Sequence, residues 1–230
     1  MSRKKSAKKK IESEQNVKQE KKNISQNERQ LRWILIGMVC VLLIGILVYV
    51  VVQEMKKFEY GGLDFEKIMY DQLLLYHSKI PVSDSSGNLL VNYNLYLRND
   101  PRQLGDIPVN GSIKLMKYTY VSLDPEAEVG CSDSGIAGAN FFSFLKIAGV
   151  DAKLAYNNKT YALARNVSYG SCQDNRALYY GYLVIKKGEE NKIVQIDNNC
   201  YELYFKDCDI LKVTERFMVA AVAHSKGIAV

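Results

Sequence analysis

The residue of this sequence whose position most suggests chemistry is Cys131, because it stands just before a predicted helix. The stretch CSDSGIAGANFFSFLKIAG, residues 131–149, has apolar residues at three- and four-residue steps, serine and aspartate near its start and glycine at its end. A helix N-terminus lowers the pKa of a nearby thiol and so increases the nucleophilic thiolate. Cys131 is therefore a candidate nucleophile, and the alternative is that it forms a disulfide.

The other cysteines bear on that choice. Cys40 falls within a long apolar segment, which leaves Cys131, Cys172, Cys200 and Cys208. An even number of cysteines outside the cytoplasm is typical of two disulfides, for which three pairings are possible. We favour Cys131–Cys172 with Cys200–Cys208. A straight strand between the last two would hold their sulfurs about 26 Å apart, so that bridge requires a turn before Cys208.

The spacing of cysteine and histidine argues against several other kinds of site. The sequence contains no Cys-x-x-Cys for thiol exchange and no paired Cys/His clusters of a zinc site. Its two histidines, His77 and His224, are widely separated. We therefore predict no metal site and no cofactor.

A second candidate site is YLRNDPRQL, residues 96–104, where Arg98, Asp100 and Arg102 surround a proline. Two guanidinium groups could clamp an anionic ligand through paired hydrogen bonds. The alternative is that Asn-Asp-Pro initiates a turn while the arginines pair with carboxylates of the protein, and we favour it. The Glu215-Arg216 pair of the last predicted helix is either such a partner or part of a solvated face.

Strands predominate among the elements that must position these residues. VNYNLYLR, residues 91–98, alternates apolar and polar residues with the period of a half-buried strand. Further strands are predicted at 72–80, 149–154, 177–187 and 192–197, with a hairpin between 104 and 121. Helices are predicted at 64–70, 134–148 and 210–224. The fold class is α+β, a mainly antiparallel sheet with a packed internal helix and helices near its ends.

An uncharged run of twenty residues, WILIGMVCVLLIGILVYVVV from Trp33 to Val52, precedes that domain. At about 1.5 Å per residue it matches the roughly 30 Å hydrocarbon thickness of a bilayer, so we predict a single transmembrane helix at 33–53. A cleaved signal peptide is the rival interpretation, but VYVVVQEMKKF offers no small-x-small cleavage site. We therefore interpret the segment as an uncleaved signal-anchor.

The charge distribution predicts the orientation of this anchor. Residues 1–32 carry eleven Lys and Arg against four Glu, whereas only Lys56 and Lys57 follow the span closely. The positive-inside rule then places 1–32, a disordered basic tail, in the cytoplasm of a cell-membrane protein. A stalk with a short helix at 54–72 and an extracytoplasmic α+β domain at 73–230 follow. The chain beyond residue 32 has 20 basic and 21 acidic residues, which argues against nucleic-acid binding.

The order of elements after Cys131 resembles the core of transglutaminase-like proteins, relatives of the papain fold. A cysteine heads a helix, a Gly-hydrophobic-x-Ala-hydrophobic strand follows at 149–154, and two more strands follow at 177–187 and 192–197. The resemblance implies a half-barrel sheet packed on that helix, with Cys131 and Asp197 as the cysteine and aspartate of a catalytic triad. The family's histidine is missing, because the strand that should carry it begins Ala-Leu-Tyr-Tyr-Gly-Tyr.

Three functional hypotheses follow. The favoured one is a single-pass, membrane-anchored envelope protein whose disulfide-stabilised extracytoplasmic domain is a non-catalytic binding or assembly module. Its partners would be the lipid bilayer and other envelope proteins or surface polymers. The first alternative is a transglutaminase-like cysteine hydrolase or acyltransferase with Cys131 as nucleophile. The second is a membrane sensor whose basic cytoplasmic tail recruits a partner.

Overall fold

Helix α1, Leu35–Glu54, is apolar around its circumference and belongs to the first of two compact units, residues 1–56. The structure, a computed structural model, describes residues 32–33, 35–54, 56–83, 86, 88–128, 131–173 and 179–230. The predicted basic tail lies outside them except for Arg32. The mean hydropathy of α1 is 3.1, and it is long and apolar enough to cross a membrane. Together with two disulfides, this helix fits a membrane-anchored protein with an oxidised domain.

The second unit, residues 57–230, begins with a four-stranded antiparallel sheet. Its strands, in chain and spatial order, are β1 Lys57–Tyr60, β2 Leu63–Tyr70, β3 Leu73–Ser83 and β4 Leu89–Leu97. Leu63 and Phe65 of β2 are buried while Asp64 and Glu66 are exposed, which is strand alternation rather than a helical period. The helix predicted at 64–70 is therefore wrong, and so is the stalk from residue 57 onward.

A seven-stranded mixed sheet follows, in the order β5-β10-β11-β9-β6-β7-β8. Its strands are β5 Val109–Asn110, β6 Tyr118–Leu123, β7 Asp151–Tyr156, β8 Ser168–Tyr169, β9 Gly181–Lys187, β10 Lys192–Asp197 and β11 Cys200–Phe205. Neighbours β10 and β11 are antiparallel, and the other neighbouring strands are parallel. The hairpin predicted between 104 and 121 is wrong, because β5 pairs with β10 at the sheet edge rather than with β6.

Five helices accompany these sheets in the described part of the second unit. They are α2 Pro101–Leu104, α3 Pro125–Glu128, α4 Ser134–Ile147, α5 Lys159–Ala164 and α6 Ile210–Ser225. Almost every residue of α6 is buried, because α6 contacts elements on several sides. The centroid of its Phe217 ring lies 5.4 Å from the ring centroid of Phe141 of α4 and 6.1 Å from that of Tyr201 of β11. On another side, its Arg216 binds the Tyr60 hydroxyl at the end of β1.

The predicted class, α+β with an apolar N-terminal helix, an antiparallel sheet and further helices, is confirmed. Its internal helix is α4, and its C-terminal helix is α6. The parallel pairings were not anticipated. For β6 and β7, the parallel pairing arises because the chain crosses between them through α4, and such a crossover returns in the same direction.

Candidate functional site

The four cysteines of the domain form two disulfides, Cys131–Cys208 and Cys172–Cys200. The favoured pairing is therefore wrong. Residues 200–205 form the straight strand β11, which carries the chain away from Cys200 before it reaches Cys208. Each bridge instead joins segments that are distant in sequence, with separations of 77 and 28 residues.

The structure does not bring together the residues of the proposed catalytic triad. Cys131 is in a disulfide, so it has no free thiolate while that bond is intact. It lies beside Asp207 and Cys208, beyond the end of β11, whereas Asp197 is opposite Cys200 at the start of that strand. The strand between them is about 17 Å long at 3.3 Å per residue.

Arg98, Asp100 and Arg102 are engaged with the protein rather than with a common open space. Asp100 caps α2 by accepting from the backbone N–H of Arg102 at 3.1 Å, and it also accepts from the Arg102 guanidinium at 2.6 and 3.0 Å. Those hydrogen bonds lower the pKa of Asp100. The Arg102 guanidinium lies 4.2 Å from the Phe58 ring centroid, and Arg98 pairs with Asp133 at 3.4 Å. This is the arrangement that the favoured interpretation describes.

Glu215 is the carboxylate that holds this segment in place. It accepts hydrogen bonds from the backbone N–H of Arg98 at 2.7 Å, from the backbone N–H of Asn99 at 3.1 Å and from the Asn99 side chain at 2.7 Å. The next residue, Arg216, donates to the Ile107 carbonyl at 3.0 Å. Glu215 and Arg216 are both buried, so they are the partners of this segment and not a solvated face.

Burial raises the pKa of Glu215 to about 7, against the opposing hydrogen bonds from Arg98 and Asn99. Because the pKa of Glu215 is higher in the folded state than in the unfolded chain, this group stabilises the fold below pH 4.5. That contribution is lost as the pH rises towards 7. We expect this single group to remove about 3 kcal/mol of unfolding free energy across that range. Urea unfolding of the wild-type domain and of Glu215→Gln from pH 4.5 to 8 measures it.

The Gln variant should lack this loss, because an amide does not titrate. His224 is present in both proteins and changes their stability in the opposite direction with pH, because burial and the charge of Arg216 lower its pKa. Its stabilising contribution is present above pH 6.5 and is lost as the pH falls. Parallel stability curves for the two proteins would contradict the role given to Glu215.

A cavity with largely apolar walls forms a groove between the four-stranded sheet and the C-terminal ends of α4 and α6. Its volume is about 870 Å³, within the range of ligand sites. We call it the apolar groove. Its apolar walls are formed by Ile80, Val82, Leu90, Tyr93, Ile113, Leu115, Phe144, Ile147, Ala221 and Val222.

One end of the apolar groove is polar, and two side chains hold it in place. His224 Nδ1 accepts the backbone N–H of Ile113 at 2.9 Å. The Tyr201 hydroxyl accepts from the backbone N–H of Lys114 at 2.8 Å and donates to the Ser112 carbonyl at 2.9 Å. Segment 112–114 is therefore fixed both to α6 and to β11, although it is neither helix nor strand.

The hydrogen bond at Nδ1 determines the chemistry of His224. A neutral imidazole that accepts at Nδ1 carries its proton on Nε2, so the ring offers a donor there. Its lowered pKa keeps the ring neutral near pH 7, because burial and the nearby charge of Arg216 oppose protonation.

The charges at the apolar groove have one sign. Lys114 and Lys226 line it, and none of its described lining residues is Asp or Glu. Lys226 also donates to the Gly62 carbonyl at 2.6 Å, which fixes its side chain. The apolar groove, with cations and a neutral donor at one end, is complementary to a ligand with an apolar body and an anionic end.

The sequence analysis missed this site, except that it had noted His224. Its walls come from segments more than 140 residues apart in the chain, such as Ile80 and Val222, and no local pattern brings them together. No group of three or more His, Cys, Asp or Glu side chains that could hold a metal ion occurs among the described residues.

Comparison with known proteins adds no relative. No protein-family model matches the chain, no curated protein matches its sequence and no solved structure matches its fold.

Proposed function

We propose that this protein is a single-pass membrane protein with a cytoplasmic N-terminus, whose external domain binds an anionic amphiphile with one acyl chain in the apolar groove. The observation that carries the proposal is the groove itself, which has a volume of about 870 Å³ and aliphatic and aromatic walls. Its described lining residues include two lysines and no Asp or Glu. The proposal names a class of ligand for the binding module that the sequence predicts.

Two further features support the external location. Disulfides persist in oxidising compartments outside the cytoplasm, and this domain has two. The basic residues before α1 greatly outnumber those just after it, which favours retention of the N-terminus in the cytoplasm. Both features support a position in the cell membrane with residues 57–230 outside.

The walls and the polar end of the apolar groove play different parts in binding. Removing an acyl chain from water supplies about 0.8 kcal/mol per buried CH₂, which gives affinity for any amphiphile of suitable length. The lysines and the Nε2–H of His224 distinguish a carboxylate from a neutral head, because each interacts more strongly with an anion. A C16 fatty acid should therefore bind more tightly than the alcohol of equal length.

The test is titration of the domain, residues 57–230, with a fluorescent fatty acid and with the matching alcohol. The domain is a suitable sample because its buried core starts at Leu63 and both disulfides lie within it. Ala148 is an exposed residue that lines the groove, so Ala148→Phe should fill it without disturbing the core. We expect the affinity for the fatty acid to fall about ten-fold or more, because the added ring takes the place of several buried CH₂ groups of the acyl chain.

Matched variants separate the contributions. Ala164→Phe places the same ring on an exposed alanine of α5 and should leave binding unchanged. Lys114→Glu should weaken the acid and not the alcohol, whereas Lys153→Glu on β7 should affect neither. Equal affinity for acid and alcohol, or full binding by Ala148→Phe, would contradict the proposal. Dimerisation of the domain that Ala148→Phe abolishes would assign the groove to a second copy instead.

The cysteine-enzyme alternative requires a free thiolate at residue 131, and the Cys131–Cys208 disulfide weighs against it.

A further inference from the structure

The turn between β2 and β3 presents a cluster of exposed apolar side chains. Met69 and Tyr70 at the end of β2 are 65% and 71% exposed, and Leu73 and Leu74 at the start of β3 are each 39% exposed. We call these four residues the hairpin tip. Neighbouring exposed apolar residues of this size usually mark an interaction surface.

Both faces of the hairpin tip are apolar. Tyr70 pairs with Leu73 and Met69 pairs with Leu74, and successive pairs of a ribbon point to opposite faces. Further back along the same strands one face is buried and the other is polar, as for Phe65 and Glu66. A ribbon that lies wholly in water has no reason to be apolar on two sides, so its tip fits an apolar surrounding.

The course of the chain indicates which apolar surrounding is within reach of the hairpin tip. Only Met55 and Lys56 separate Glu54, the end of α1, from Lys57, the start of β1, so the Cα atoms of Glu54 and Lys57 are at most about 11 Å apart. β2 is antiparallel to β1 and returns past its start, because Lys57 is opposite Glu66 and Tyr70 lies four residues further. The hairpin tip therefore extends about 13 Å beyond Lys57, at the same end of the four-stranded sheet at which the chain enters the domain.

We propose that the hairpin tip inserts into the surface of the bilayer that α1 crosses and forms a second membrane contact of the domain. The inference rests on the proposed membrane anchor, and it is independent of the ligand of the apolar groove. Asp71 lies in the turn itself, so insertion is shallow and its carboxylate remains among the headgroups. Lys56 and Lys57 lie near the same surface and can pair with lipid phosphates.

Two consequences follow for the function. A domain attached through β1 and also inserted at the hairpin tip would have its tilt on the membrane restrained by two contacts, instead of depending only on the two-residue connection to α1. The apolar groove is lined by Ile80 and Val82, at the other end of β3 from Leu73, so it is held about 24 Å further along the strand. With the hairpin tip in the bilayer surface, the apolar groove would therefore lie at the end of the sheet remote from that membrane contact.

The experiment uses the full chain reconstituted in phosphatidylcholine vesicles, with tryptophan as a depth probe. Trp33 is the only tryptophan, so Trp33→Phe gives a silent background. In that background Tyr70→Trp reports on the hairpin tip, and Leu163→Trp reports on an equally exposed leucine of α5. Leu43→Trp, inside α1, reports on the anchor.

We expect lipids brominated near the headgroup to quench the Tyr70→Trp probe, with greatest quenching at a depth of about 5–10 Å. Its emission should shift to shorter wavelength, and the Leu163→Trp probe should show neither change. Leu74→Glu added to the Tyr70→Trp chain should reduce the quenching, because a carboxylate opposes transfer from water.

The controls separate the two proposals. Quenching of Leu43→Trp by deeply brominated lipids with no quenching of Tyr70→Trp would overturn the hairpin inference and leave the anchor standing. Absence of quenching at Leu43→Trp would overturn both. Retention of the disulfides and of the circular dichroism spectrum establishes that each variant is folded.

Discussion

Replacing Cys131 and Cys208 together by alanine is expected to lower the free energy of unfolding of the domain by about 4–5 kcal/mol. The bridge closes a loop of 77 residues, and a long loop loses much entropy in the unfolded chain when its ends are joined. Domains of this size are stable by only about 5–15 kcal/mol, so the variant should unfold at much lower urea concentration.

Cys172 and Cys200 provide the matched comparison. Their loop is 28 residues long, so the corresponding double alanine variant should lose about 3–4 kcal/mol. Urea unfolding of the wild-type domain and of both double variants measures the two losses. A larger loss for Cys172 and Cys200 than for Cys131 and Cys208 would contradict the loop-entropy explanation.

The Cys131–Cys208 bridge has a second effect, on the apolar groove. Helix α4 begins three residues after Cys131 and α6 begins two residues after Cys208, so the bridge holds the two helices together at their starts. The opposite ends of the same helices, at Ile147 and Ser225, line the groove. Loss of the bridge should therefore also weaken fatty-acid binding, although neither cysteine touches the groove.

Local patterns predicted those elements whose periodicity is clear within their own residues. Apolar steps of three and four residues gave α4 and α6, and alternation gave β4. The helix predicted at 64–70 is a strand, although Ile68 and Met69 follow Phe65 at the three- and four-residue steps of a helix. Ile68, Met69 and Tyr70 are three consecutive apolar residues. They depart from strand alternation because both faces of the hairpin tip are apolar.

Long-range arrangements could not be obtained in this way. The disulfide pairing depends on which loops meet at the two ends of β11, and the sequence does not state how strands are ordered in the sheet. The apolar groove likewise depends on the packing of α6 beside β3 and β4. Glu215 had been considered as a partner of residues 98–102, but its three hydrogen bonds, two of them from backbone amides, follow only from the tertiary structure.

The second large effect is expected at Phe217, a core residue at which α6 packs against α4 and β11. This side chain is fully buried, and its ring makes edge contacts with Phe141 of α4 and Tyr201 of β11. Phe217→Ala should lower the free energy of unfolding by about 3–5 kcal/mol, because it removes buried surface and leaves a cavity that rigid neighbours cannot fill. Phe217→Leu keeps most of the volume and should cost less than about 1.5 kcal/mol.

Phe142→Ala is the matched control, since Phe142 is the next residue after Phe141 on α4 and is only partly buried. Urea unfolding should show that Phe142→Ala lowers the free energy of unfolding clearly less than Phe217→Ala does. Equal losses of unfolding free energy in the two variants would contradict the greater contribution to stability that is expected of Phe217. If Phe217→Ala remains folded, its fatty-acid affinity should also fall, because Phe217 lies one turn before Ala221 in the helix that forms a wall of the groove. The packing that stabilises the domain and the shape of its proposed binding site would then depend on the same helix.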